Sequence, residues 1–152
     1  MGLKFREKRV FGDNKTWRGL LLNLAFCTIG TMIQAGLQKN GCIPLWLFLA
    51  DYSQHGLAMG LLIGFGITFG ELPNSFLKRQ MDIPPGKKGK GMGGIFFTIL
   101  DQVDLTIGIW ILTFSLIRPT FLLVSWSLLL TLIIHMAVSF AGYLLGMRES
   151  II

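Results

Sequence analysis

The sequence predicts an all-α integral membrane protein, a bundle of about four transmembrane helices around a cytoplasmic-facing polar cavity, with one short interfacial or re-entrant segment. Three observations predict it. Of 152 residues, 52% are hydrophobic and only 14% are charged, whereas soluble globular domains carry roughly 25% charged residues. Apolar runs recur near the length of about 20 residues that a spanning helix needs. The basic residues crowd into alternate connections between those runs, as the positive-inside pattern requires.

The elements follow in chain order as one domain, 1–152. A charged leader, 1–18, precedes the first run at 19–37, which is interrupted only by uncharged polar residues. The run is long and lacks a small-residue cleavage site, so it reads as a retained helix and not a signal peptide. Residues 43–50 are apolar but too short to span, which predicts the interfacial or re-entrant segment. The second run starts at 57, is rich in glycine (Gly60, Gly64, Gly66, Gly70) and is too short if it stops at 69. It either continues to 79 with a kink at Pro73 or breaks there and resumes; the span is taken as 57–79. A cytoplasmic loop, 80–94, leads to the third run at 95–117, and the fourth covers 121–147. The leader holds six cations, the 80–94 side of span two holds five from Lys78 to Lys90, and the C-terminus holds Arg148. The other two connections carry only Lys39 and Arg118. This asymmetry predicts a multi-pass protein of the cell membrane with both termini and the 80–94 loop in the cytoplasm.

Charge and cysteine content narrow the function. A net charge of +6 with pI near 9.7 could suit nucleic acid, but the cations flank apolar runs, where headgroups lie, so no nucleic-acid partner is expected. Cys27 and Cys42 match no metal or disulfide spacing. No Ser-His-Asp or Cys-His set stands out, which disfavours covalent acyl transfer. His55 and His135 read as packing residues.

Acidic residues inside spans are the informative exceptions, because an intramembrane carboxylate costs at least about 2.5–3.5 kcal/mol and marks function by default. Asp101 and Asp104 are spaced i, i+3 and project from one helical face near the cytoplasmic end of span three. Two like charges there call for a divalent cation, and hard oxygen ligands suit Mg2+; pairing with a neighbouring Lys or Arg is the structural alternative. Glu71, Ser75 and Lys78 follow i, i+4, i+7 and form one stripe if the helix persists past Pro73, with Arg79 adjoining. In the leader, GDNKTWRG (12–19) gathers Asp13, Lys15, Thr16 and Arg18 just before a span. Asp13 or Thr16 could cap that helix, and a helix N-terminus with nearby cations is an anion site. The loop PPGKKGKGMGG (84–94) offers Lys87, Lys88 and Lys90 among five glycines to a polyphosphate. It lacks the Walker A ending, and its GxGxxG string follows no strand, so a dinucleotide fingerprint is excluded.

These parts suit joint handling of a nucleotide and a phosphorylated lipid. A phosphomonoester is largely dianionic at pH 7, so attack on a nucleotide α-phosphate needs alignment and charge neutralisation more than a general base. GDNKTWRG at 12–19, GELPNSFLKRQ at 70–80 and DQVD at 101–104, in this order in a small polytopic chain, resemble the CDP-archaeol synthase family. They are more distantly similar to phosphatidate cytidylyltransferases, whose signature has a Ser-x-x-Lys-Arg element, here Ser75 to Arg79, and a closing Asp-x-x-Asp, here Asp101 to Asp104. The Lys-Asp and His-Gly-Gly elements of that signature are replaced here by the glycine-lysine loop, which favours the archaeol-type branch.

The resemblance implies a magnesium-dependent CTP transferase that converts a membrane lipid phosphate, archaeol-type or phosphatidate-like, into a CDP-lipid and pyrophosphate. It implies Asp101 and Asp104 as Mg2+ ligands, with Glu71 as a further ligand of the metal or a support to those two. Lys78, Arg79, Lys15 and Arg18 would meet phosphate oxygens, and Asp13, Thr16, Asn74 and Ser75 would position phosphate or ribose. It further implies a five-helix core with one more span before GDNKTWRG, so the chain reads as a shortened or compact member, and a homodimer would supply the missing contacts. The rival readings are a small ion-coupled transporter, in which the acids carry protons or cations, and an inactive scaffold relative. A conduit needs polar groups across the membrane, yet the outer halves of spans one, three and four hold only scattered Thr, Ser and Gln with His135.

Overall fold

A computed structural model describes residues 4–5, 8–9, 16–83 and 91–147. Four α-helices dominate: α1 (Trp17–Lys39), α2 (Tyr52–Gln80), α3 (Gly91–Thr113) and α4 (Phe121–Leu144). Each is long and apolar enough to cross a membrane. Four helices able to span agree with the expected all-α membrane class, with α2 starting five residues before the apolar run at 57. A two-residue antiparallel ladder, β1 (Lys4–Phe5) with β2 (Lys8–Arg9), lies within the leader and was not anticipated. The 43–50 connection holds one 3-10 turn, Leu45–Leu47, with Trp46 81% exposed.

Local chemistry explains the helix ends. Thr16 caps α1, its hydroxyl accepting from the Gly19 N–H at 3.1 Å. Asp51 caps α2 by accepting from the Ser53 N–H at 3.0 Å, and the Ser53 hydroxyl beside it holds its carboxyl below the usual range. Thr120 caps α4. At the other ends, α1, α2 and α4 close in the same way, with a residue of positive φ whose neighbours bond back into the last turn. Gly41 (φ 66°), Asp82 (φ 59°) and Gly146 (φ 69°) hold these positions. At α2 the Asp82 N–H bonds Arg79 O and the Ile83 N–H bonds Lys78 O at 2.9 Å. α3 ends at Thr113, four residues earlier than the hydropathy run, where the Leu116 and Ile117 N–H groups fold back onto the Thr113 carbonyl ahead of Pro119.

Helix α2 is the longest, at 29 residues, and remains helical through Pro73, resolving the choice between a kinked and a broken span in favour of continuity. It stands between α1 and α3, packing closely on both, while α4 meets α3 more sparsely. Glycines permit both close approaches. On one side Gly56, Gly60 and Gly64 face α1: a Cβ at Gly60 would lie 2.5 Å from the Thr28 Cα. On the other side Gly66 and Gly70 face Gly108, where a Cβ would lie 2.1 Å from the Gly66 carbonyl oxygen. Burial is inverted relative to a soluble protein. Thr31, Asn74, Asp104, Thr113 and Ser139 are buried, whereas Phe121, Trp126, Ile133 and Phe140 of α4 are at least half exposed, as suits a surface solvated by lipid.

Candidate active site at the α2–α3 crossing

The last two turns of α2 and the middle of α3 bring four of the anticipated residues together. Asn74 and Lys78 lie one turn apart on α2, and Asp101 and Asp104 one turn apart on α3. The Asn74 amide nitrogen donates to Asp101 Oδ1 at 2.5 Å and to Asp104 Oδ2 at 2.8 Å, so the two carboxylates converge on a single atom. The Lys78 ammonium donates to both oxygens of Asp101. It also lies 5.9 Å from the centre of the Phe97 ring, over a side chain that is itself buried. Asp104 and Asn74 are sequestered at 6% and 4% exposure, whereas the Asp101 side chain is 46% exposed. One acid is thus fixed in the protein and the other stands at the surface.

The Gly66–Gly70–Gly108 crossing is what allows this convergence. Gly108 follows Asp104 by one helical turn and Gly70 precedes Asn74 by one turn, so the closest backbone contact and the polar cluster occupy adjacent levels of the same face. Sequence reading noticed the glycines of span two but missed Gly108, whose signal was its i+4 spacing from Asp104. It also missed Phe97. Beside the cluster lies a cavity of about 290 Å³ lined largely by apolar groups, among them Phe69, Pro73, Leu77 and Ile107, with Asn74 and Asp104 in its wall.

The remaining anticipated residues are distributed around this centre. Arg79 donates to the Ile83 carbonyl at the helix end, its Nε buried with no partner among the described residues. By helical register Glu71 and Ser75 continue the line of Gly56, Gly60 and Gly64 that faces α1, while Asn74 faces α3. α1 runs antiparallel to α2, since Asn23 near its start bonds Thr68 at 3.4 Å while Gln38 at its end accepts from the Tyr52 N–H at 2.8 Å. Arg18, exposed in the first turn of α1, and Thr16 before it therefore lie toward the same end as the acid pair, on the α1 side of α2. Asp13, Lys15, Lys87, Lys88 and Lys90 lie outside the described residues.

The donor set fits a hard divalent cation. Two carboxylate oxygens already converge, and the Asn74 Oδ1 beside them is buried with no partner among the described residues. No group of three or more His, Cys, Asp or Glu forms a metal cluster among the described residues. A cation held here would therefore complete its shell with phosphate or water oxygens, the usual habit of Mg2+.

A family model described as CarS-like CDP-archaeol synthase matches residues 1–152. Among curated relatives, a protein named CDP-archaeol synthase from Methanosphaerula palustris is 31% identical over 93% of this chain and 81% of its own length. One of the same name from Methanosarcina barkeri is 28% identical over 93% of this chain and 82% of its own length. A third, from Thermococcus onnurineus, is 37% identical over 60% of this chain and 49% of its own length. No solved structure matches.

Proposed function

The chain belongs to the CDP-archaeol synthase family, and from this premise we propose that it is a Mg2+-dependent cytidylyltransferase acting on a membrane lipid phosphate. The observation that carries the reading is the Asn74-bridged pair Asp101 and Asp104, with Lys78 against it, where the last two turns of α2 cross the middle of α3. A transferase of this kind moves a cytidylyl group from CTP to the lipid: a lipid phosphate oxygen attacks the α-phosphorus, the bond to the bridging oxygen breaks, and pyrophosphate leaves with the electron pair.

Each residue's role follows from its chemistry and position. Asp101 and Asp104 hold the cation, with Asn74 fixing both carboxylates; bound there, Mg2+ neutralises charge on the triphosphate. Lys78 and Arg79 bind phosphate oxygens at the end of α2. Arg18 approaches from the α1 side, where Glu71 and Ser75 line the same surface, and Lys15 of the leader adds a further cation for phosphate oxygens. Lys87, Lys88 and Lys90 add positive charge for the polyphosphate. The attacking phosphomonoester is already ionised, so no side chain has to remove a proton; the site's task is to align two anions and offset their repulsion. The largely apolar cavity beside the acid pair also suits a lipid substrate, whose chains would remain among the helices. The distribution of Lys and Arg supports a cytoplasmic location for this end of the helices, where CTP is available.

Pyrophosphate release and CDP-lipid formation, measured on detergent-purified protein with CTP, Mg2+ and either an archaeol-type lipid phosphate or phosphatidate, test the reading. Asp101→Asn and Asp104→Asn are each expected to abolish product while the protein still inserts in the membrane. Near-normal turnover in either variant would sink the assignment, and product from one lipid alone would identify the branch.

A further inference from the structure

The proposed chemistry assigns Asp101 to a cation and Lys78 to a phosphate, yet in the structure these two side chains hold each other. The ammonium engages both oxygens of Asp101, leaving that carboxylate no oxygen unshared. Resting on the reading above, we infer that Lys78 is a built-in stand-in for the divalent cation. It neutralises Asp101 while the site is empty and moves to a phosphate oxygen when metal and polyphosphate arrive together.

Several features fit this exchange. Asp101 and Asp104 converge on one amide nitrogen, and at neutral pH their mutual repulsion needs a positive charge close by. Lysine suits a temporary partner, being a compact charge on a flexible four-carbon stem, whereas arginine would make a planar, two-pronged pair that opens less readily. Lys78 sits within the last turn of α2, so its stem can swing toward the helix end without disturbing the backbone. Burial is divided to match. Asp104 is enclosed and tied to Asn74, so it stays in place, whereas Asp101 is open enough for a solvent-borne ion to reach it. The consequence is coupling. A metal arriving alone must displace the ammonium with nothing to receive it, whereas a metal arriving with a polyphosphate offers the ammonium a new partner, so each ligand favours the other.

The test is Mn2+ binding to the full-length purified chain, read from the loss of the free-ion electron paramagnetic resonance signal, with no nucleotide or lipid present. Lys78→Gln and Lys78→Met are each expected to bind the ion at least tenfold more tightly than the wild type. Lys78→Arg should bind no more tightly than wild type, and Lys39→Gln, at the opposite end of α1, should leave the affinity unaltered and so control for net charge. The exchange is overturned if both neutral Lys78 variants bind Mn2+ no more tightly than wild type, or if Lys39→Gln produces the same gain. Asp101→Asn and Asp104→Asn separate this result from failure of the underlying reading. Wild-type Mn2+ affinity in either would remove the metal site itself, whereas loss of binding in both with no gain in the Lys78 variants would remove only the exchange.

Discussion

Asn74 spends one amide nitrogen on two carboxylates and buries its oxygen beside them. An alanine there would leave Asp101 and Asp104 without their common donor and would loosen the register between the two carboxylates. Misplacing a reacting group by about 1 Å can cost on the order of 10²-fold in rate, and Asn74→Ala is expected to lower CDP-lipid formation by about that factor. Helix content by circular dichroism should stay at the wild-type level, because the Asn74 amide nitrogen bonds side chains of α3 and leaves the helical ladder untouched; wild-type turnover would show that the bridge plays no part. At this scale the acids were legible in the sequence, since an i, i+3 pair of aspartates in a span has few structural excuses. Asn74 was legible only within the GELPNSFLKRQ block, as a residue that would position phosphate or ribose, and not as a partner of the acids. An amide carries no charge to betray its partner, and the one-position difference between facing α1 and facing α3 depends on the helix continuing unbroken through Pro73.

Glycine decides how the elements meet. Gly108 has no room for a side chain, with a Cβ falling 2.1 Å from the Gly66 carbonyl oxygen and 2.6 Å from the Gly70 Cα, whereas Gly36 of α1 has nothing within 4 Å. Gly108→Leu is therefore expected to pry α3 from α2, destabilising the fold by about 1–3 kcal/mol or more and separating Lys78 from Asp101. Gly36→Ala is expected to be neutral or slightly stabilising. Thermal unfolding in detergent, followed by intrinsic tryptophan fluorescence, should show a lowered transition for the first and none for the second; equal behaviour would contradict the crossing. The spans themselves were legible because hydropathy over some 20 residues is a strong signal. The packing was not: glycines every four residues announce a close contact without naming the partner, and α2 uses two such lines for two different neighbours. The Asp82 stop to α2 was hidden for a related reason, since left-handed backbone at a helix end is more often signalled by glycine.

Across the whole molecule, apolar side chains face outward and the buried polar ones gather between helices, with the acid pair toward one end. Antiparallel succession puts the start of α1, the end of α2 and the start of α3 at that end, and the α1–α2 connection, with exposed Cys42, at the other. We propose from the distribution of Lys and Arg that the first end faces the cytoplasm, as a reaction that consumes CTP requires. Two cysteines permit a direct test. In intact cells a membrane-impermeant maleimide is expected to label Cys42 from outside, and Cys42→Ser should remove that labelling, because Cys27 is half-buried within α1. With Cys42 replaced, a cysteine introduced by Ser75→Cys should react only after the membrane is opened. Labelling of the Ser75→Cys position in intact cells would invert the molecule, place Asp101 and Lys78 away from the nucleotide supply, and thereby remove the basis for a cytidylyl transfer at that end.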